Sequence, residues 1–352
     1  MHVRQGLSRG NDPGPGSSPA VMPNAAFQPG LTVVILTYNS AATLGACLDS
    51  LVDQADRDFG VVVVDDDSTD ETLAIVASYS SRLRITVTRN GSHLIPRGRN
   101  IGLTASQTSV VAFIDSDDRA EPGWTRAIGT AFRDNPGTAM ISGGLVPAYR
   151  TRIAQAIAVN DDAVRRLFGG GIMQFSAGNC AINRDIAPDA FFNENFRFAE
   201  DLELASRIGA RYPWKHIPSM RIQVYSRETF RQYARQMYRY GFMKQYFSFT
   251  ARTYRWLDYV PLALLIGGGL AGVALQSWWP LLLTVPFSLL EALFVVCYQR
   301  CPATVAALTM PAWVVKNLSW SCGVAHGLVA LAMDGDTRRL LHAKYEWNRK
   351  ES

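Results

Sequence analysis

Residues 110–118 read VVAFIDSDD, five apolar residues running straight into three carboxylates within four positions. The apolar run has the length of a buried strand, and the acids at its end are costly unless a cation sits among them. Asp115 and Asp117 are two apart, so at a fraying strand end both side chains can face one side and reach a hard divalent ion. A solvated acidic turn is the plain reading of DSDD taken alone. Two companions weigh against it: LTVVILTYN (31–39) and VVVVDDD (61–67) are further apolar runs that end in polar residues. Three such strands, all releasing polar groups at their carboxyl ends, predict a ligand crevice at the rim of an open α/β sheet.

The neighbouring chain supports that sheet. A strand over 32–36 leads through Thr37, Tyr38 and Asn39 into a helix ending at Leu51, with Leu44, Cys47, Leu48 and Leu51 on one face and Ser40 placed to cap it. A strand over 59–64 ends in Asp65, Asp66 and Asp67, and Glu71 gives the next helix a negative first turn. A short strand (84–87), a polar loop NGSHLIPRGRN (90–100) with Arg97 and Arg99, and a small-residue helix to Ser106 complete the approach to Val110. This alternation predicts right-handed crossovers and a mainly parallel sheet. Beyond it the pattern predicts a helix over 124–132, a strand over 139–146, a helix over 150–168, a glycine loop at 169–171 and a strand over 173–182 around Gly178 and Asn179. A helix headed by Glu200 and Asp201 follows, with Leu202, Ala205 and Ile208 as its buried stripe.

The 352 residues allow one large domain with an appendage, or two domains. Up to about Arg255 the composition is that of a water-facing α/β protein, whereas 259–333 is almost free of acids and rich in Leu, Val, Ala, Gly and Trp. A globular head and a C-terminal helical membrane region are therefore expected. The net charge of +5 is concentrated in arginines that flank the apolar region. That placement suits membrane lipids with anionic headgroups, and no nucleic-acid-binding module accompanies it. The cysteines, Cys47, Cys180, Cys297, Cys301 and Cys322, form no CxxC pair, so neither a disulfide framework nor a zinc site is indicated. Residues 1–30, rich in Gly, Pro, Ser and Asn and without an apolar h-region, read as a disordered extension and not a signal peptide.

Arg227, Arg231, Arg235 and Arg239 recur every fourth residue, a cationic stripe on a helix that is favourable only opposite anions. Tyr246, Phe247, Phe249, Tyr254 and Trp256, mixed with Lys244, Arg252 and Arg255, complete a set of amphipathic interfacial helices over 228–257. The runs 259–276 and 278–297 are each long enough to span a bilayer, with Glu291 the lone acid of the second. Pro302, Pro311, Lys316 and Asn317 interrupt 301–333, so two spans plus a re-entrant or interfacial segment are expected. With a basic cytoplasmic tail at 334–352 and a cytoplasmic head, that describes a multi-pass protein of the cell membrane.

Taken together, TYN, VDDDSTD, RGRNIG, FIDSDD, SAGNCAINR and AEDLEL, in this order, resemble the family 2 glycosyltransferases of the GT-A fold over about residues 31–245. The resemblance implies a GT-A catalytic domain at 31–227 that binds a nucleotide-sugar. Thr37, Tyr38 and Asn39 would lie against the nucleotide, Asp65 and Asp66 at the uracil and ribose, and Arg99 near the base and phosphates. Asp115 and Ser116 would sit at the donor diphosphate, with Asp115 and Asp117 holding Mg2+ or Mn2+. Asp201, beside Glu200, would deprotonate the acceptor. QMYRY (236–240) resembles the QxxRW signature of membrane-bound synthases with Tyr240 in place of Trp. It would place Gln236, Arg239 and Tyr240 beside the acceptor and diphosphate. Asp67, Gly98 and Ala199 depart from the family's usual residues without removing a reacting group.

The layout is similar to that of bacterial exopolysaccharide glycosyltransferases of the succinoglycan type. The expected activity is an inverting, metal-dependent transfer from a UDP-sugar to a lipid-linked or nascent polysaccharide acceptor. Transfer to polyprenyl phosphate, as in enzymes like dolichyl-phosphate mannose synthase, is the alternative within the same chemistry. A non-catalytic membrane scaffold is the alternative from another class, and intact Asp115, Asp117 and Asp201 argue against it.

Overall fold

Four strands, β1 (Leu31–Thr37), β2 (Phe59–Asp65), β3 (Ile85–Arg89) and β4 (Val110–Ile114), lie parallel in the order β3-β2-β1-β4. The computed structural model describes residues 30–168, 174–196, 199–251, 256–276, 284–299 and 302–333. Expectations for the N-terminal extension, the 169–171 loop and the tail beyond 333 fall outside these residues. Helices α1 (Leu44–Val52), α2 (Thr72–Ser78) and α3 (Ile95–Ala105) join the strands. The strands are apolar almost throughout because both faces are covered. Val33, Ile35, Val61 and Val63 pack with Leu44 and Leu48 on one side, and Val34, Val62, Val64 and Phe113 pack with Leu103 on the other.

Past β4 the sheet departs from the mainly parallel arrangement expected. β5 (Arg119–Ala120), β6 (Met140–Ala148), β7 (Asn179–Asn183) and β8 (Trp214–Tyr225) complete eight strands in the order β3-β2-β1-β4-β7-β6-β8-β5. β7 is antiparallel to both its neighbours, and β5 is antiparallel to β8. The strand expected from 173 begins only at Asn179, because the Asn179 amide closes a turn onto the Ser176 carbonyl at 3.1 Å. β8 was not foreseen: WKHIPSMRIQVY alternates poorly, and its pairing with β6 shifts register between Gly143 and Gly144.

Helices α4 (Trp124–Asp134), α5 (Arg152–Phe168) and α6 (Glu200–Gly209) match the expected periodicity, although α6 buries Leu204, Ala205 and Ile208, with Leu202 half-buried. After β8 come α7 (Phe230–Ala251), α8 (Val260–Ala274), α9 (Thr284–Gln299) and α10 (Ala303–Met333). α10 packs along α7 and also against α5, α8 and α9. Ile157, Tyr233, Met237 and Ala312 form the core of this bundle, with a second cluster of Ala163, Ala292 and Trp313. α7 and α10 cross with backbones in contact, since a Cβ at Gly323 would stand 2.0 Å from the Tyr238 carbonyl oxygen.

The two membrane spans expected from the sequence fall at 259–276 and 278–297, the second partly outside the described residues. Among the described residues, no helix is long and apolar enough to cross a membrane. α8 has 15 residues, against the ~20 that a bilayer core requires, and 16 residues of α9 are described. α10 is longer, at 31 residues, but Lys316 and Asn317 interrupt its apolar sequence.

Candidate active site

Loops at the carboxyl ends of β1 and β2 lock to each other before they offer anything to a ligand. Asp65 is buried and accepts from the Thr37 hydroxyl (3.0 Å), the Ser68 hydroxyl (2.6 Å) and the Ser68 amide (3.0 Å). Its carboxylate is thereby spent on the frame. Asn39 has a left-handed φ of 48°, and its side-chain oxygen accepts from the Thr69 amide at 2.8 Å, while Tyr38 stays exposed. Asp66 accepts from the amides of Ser92 (3.1 Å) and His93 (3.0 Å). Asp67, also left-handed at φ 62°, pairs with Arg89. Ser40 meets Ser116 hydroxyl to hydroxyl at 3.0 Å, tying the first loop to the acidic one.

At the end of β4, Asp115, Asp117 and Asp118 each bring a carboxylate oxygen within 4.8 Å of the others. Three hard oxygen donors at that spacing fit a divalent Mg2+ or Mn2+. Their electrostatics agree. Burial, then the charges of Asp115 and Asp117, push the Asp118 carboxyl up to about 9, and burial with Asp115 also raises Asp117. A cation would relieve that crowding. The main chain makes room: at Gly178 an added Cβ would stand 2.4 Å from Asp115 Oδ2.

Arg99 connects this cluster to α6. Its buried guanidinium donates to Asp115 Oδ1 at 3.4 Å and to Glu200, and lies over the Phe192 ring. The resemblance put Arg99 near base and phosphates; in the structure its bonds go to these two carboxylates. Glu200 is thus engaged in an ion pair, and Asp201, the next residue, lies within electrostatic reach of Arg99 and Asp115. Asp201 accepts from the Leu202 amide at 2.8 Å. Burial raises its carboxyl above the ordinary aspartate range, with Arg99 opposing and Asp115 adding to the rise. The buried thiols of Cys47 and Cys180 are pushed far up by burial, Cys180 to about 12, and offer no nucleophile.

The QMYRY segment divides between two faces of α7. Gln236 donates to the Tyr240 hydroxyl at 3.1 Å, and Tyr240 lies within electrostatic reach of Asp201. Arg239 instead lines, with Arg235, Tyr238, Leu318 and Cys322, a groove of about 750 Å³ between α7 and α10. Two residues join the site that sequence reasoning left out. Asp118 completes the acidic cluster. Arg227, preceding α7, acts on Asp117, Asp118 and Tyr240. The arginine periodicity flagged Arg227 only as a member of a stripe; the half-buried residue at the end of β8 does separate work.

Residues 32–189 match the family described as glycosyl transferase family 2. Validoxylamine A glucosyltransferase of Streptomyces hygroscopicus subsp. jinggangensis is 37% identical over 136 residues, 37% of this chain and 32% of its own length. The poly(ribitol-phosphate) beta-N-acetylglucosaminyltransferase TarS of Staphylococcus aureus is 41% identical over 93 residues, 25% of this chain and 16% of its own. This chain therefore spans a third or less of either curated relative. The mannosyltransferase PcManGT of Pyrobaculum calidifontis, solved with GDP-Man and Mn2+, shares the fold at a TM-score of 0.53 and 19% identity. That alignment covers 88% of this chain and 90% of that one.

Proposed function

We propose, from the match of residues 32–189 to glycosyl transferase family 2, that the protein transfers a sugar, with inversion, from a UDP-sugar to a lipid-linked acceptor at a membrane surface. One observation carries the reading: Arg99 holds Asp115 with one arm and Glu200 with the other, so the acidic cluster and Asp201 border one crevice. Asp201 takes the proton of the acceptor hydroxyl, whose oxygen attacks the anomeric carbon as the bond from that carbon to the diphosphate breaks. The nucleoside diphosphate leaves from the opposite face, and no covalent enzyme intermediate forms. Asp115, Asp117 and Asp118 would hold Mg2+ or Mn2+, which supplies positive charge to the departing diphosphate. Arg227 adds a fixed positive charge on the same side. The glucosyl and N-acetylglucosaminyl transfer named for the two relatives favours a UDP-linked donor.

The acceptor is inferred from the bundle. α8 and α9 leave large apolar side chains in water, among them Leu270 (68% exposed), Val273 (80%), Leu290 (66%) and Leu293 (60%). Apolar surface on this scale marks a contact with lipid or protein, and the arginines of α7 alongside favour an anionic lipid surface. The helices would lie in the interface without crossing it. The test is release of UDP from UDP-glucose and UDP-N-acetylglucosamine by the purified protein with Mn2+, with and without vesicles carrying isoprenyl-phosphate-linked saccharides. Release that needs both the vesicles and Mn2+, and stops on chelation, is expected. No release from any nucleotide-sugar would refute the enzymatic reading, and equal release to a water-soluble acceptor without vesicles would refute the lipid acceptor.

A further inference from the structure

His93 is held at the crevice mouth by more backbone work than a surface histidine needs. Its φ is 51°, in the left-handed region that a residue with a Cβ seldom adopts. The loop keeps it there: Asn90 donates to the Leu94 carbonyl at 3.1 Å, Ser92 donates to Asn90 Oδ1 at 2.6 Å, and the Ser92 and His93 amides both bond Asp66. Asp66, only 16% exposed in its side chain, also lies 3.2 Å from His93 Nδ1. For all that fastening the imidazole itself remains 60% exposed. It meets the ring of Tyr38, likewise exposed, edge to face with centroids 5.0 Å apart. Two aromatic rings set at 69° around a recessed carboxylate form an open corner. Strain spent on presenting a side chain to solvent is characteristic of ligand-contacting positions.

We propose that His93 is a specificity-determining contact for the nucleobase of the donor, an inference that rests on the nucleotide-sugar reading above. The base packs on Tyr38 in this corner with its polar edge toward Asp66 and His93. Asp66 already receives two amides and faces Nδ1, so of its roughly four acceptor positions one is left for a ring N–H of the base. The Asp66 carboxylate beside Nδ1 orients the imidazole, so that its ring borders the base next to Tyr38. A base with a ring N–H, as in uracil, matches the remaining acceptor position of Asp66.

The test compares UDP with inorganic pyrophosphate, both with Mn2+, by titration calorimetry on the full chain. His93→Asn tolerates the left-handed backbone and His93→Gly relieves it, so neither variant strains the loop. Both are expected to weaken UDP by roughly tenfold, the loss of one ring contact, and to leave pyrophosphate affinity unchanged. In turnover they raise the donor KM more than they lower kcat. Unchanged UDP affinity in both variants would overturn the proposal, as would equal loss for the two ligands, which is the signature of a loop that merely supports the diphosphate site. If the unsubstituted protein binds no nucleoside diphosphate at all, the nucleotide reading falls and takes this contact with it.

Discussion

In the sheet, charged side chains gather where strands end; in the α5–α7–α9–α10 bundle they sit partway along apolar helices. The difference decides what each can do. At the end of β4 the ladder stops, and Asp115, Asp117 and Asp118 are left facing one another, with Arg99 donating to Asp115 alone among them. In the bundle the acids are drawn into partners: Asp161 accepts the Tyr233 hydroxyl at 2.9 Å, and Glu291 accepts at 2.6 Å from Asn317, which also donates to Ser288 at 3.0 Å. Internally satisfied groups specify how helices dock, whereas crowded unsatisfied carboxylates await a ligand. On the function proposed above, chemistry belongs to the sheet's rim, and the bundle would hold that rim against a surface.

The largest effect expected from this division is at Asp201. Asp201→Asn keeps the shape and removes the base, so kcat should fall by roughly 10²–10⁴-fold with UDP affinity retained. The pH profile carries the same assignment. A base works only when ionised, and burial holds Asp201 above the ordinary aspartate value of ~4. Activity should therefore be lost, as pH falls, at a higher pH than a solvent-exposed aspartate would give. An acid limb at the ordinary value, or normal turnover by the variant, would place the base elsewhere.

Next comes Asp117→Ala. Asp117 is the exposed member of the cluster, so its removal should cost little stability while lowering kcat by roughly 10²–10³-fold and weakening Mn2+. Mn2+ binding to the unsubstituted protein at neutral pH should also expel a proton, because the Asp118 carboxyl is pushed up to about 9 without an ion. Calorimetry in buffers of different ionisation enthalpy reads this directly. Binding without proton release would mean that Asp118 is not a ligand.

How far these two regions could be read from sequence follows from the same contrast. β1, β2 and β4 were legible because an apolar run with acids at one end has few alternatives, and the same runs located Asp66, Asp115 and Asp117. Asp65 looked equivalent to Asp66; only the crossing of Thr37 and Ser68 onto it turns it inward, a long-range event no local pattern encodes. Asp118 stood in plain view but pointed nowhere until the turn after Ile114 was built. The helices beyond Val260 announced themselves as apolar, yet composition alone does not set helix length, and among the described residues none is long and apolar enough to cross a membrane.

A smaller effect is expected at Gly178→Ala, which joins sheet to site. The new Cβ would lie 2.4 Å from Asp115 Oδ2, so that carboxylate must swing away, and with it the Arg99 contact. A stability loss on the order of 1–3 kcal/mol, the cost of overpacking, should accompany weaker Mn2+ binding. Unchanged Mn2+ affinity with lowered stability would show that Asp115 has freedom to yield.

The smallest effect on the chemistry is expected where the bundle alone is disturbed. At Gly323 an added Cβ would meet the Tyr238 carbonyl at 2.0 Å, backbone against backbone, so Gly323→Ala must part α7 from α10. The helices lose close packing, and a fall in thermal midpoint equivalent to roughly 1–3 kcal/mol is expected. UDP binding should nevertheless persist, since the residues proposed for it lie around the ends of β1 to β4 and on α3, away from that crossing. Vesicle-dependent turnover should fall instead, because the orientation of α8 and α9 depends on α10. If UDP binding disappears along with the packing, the two regions fold as one cooperative unit, and the separation of reacting rim from supporting bundle does not hold.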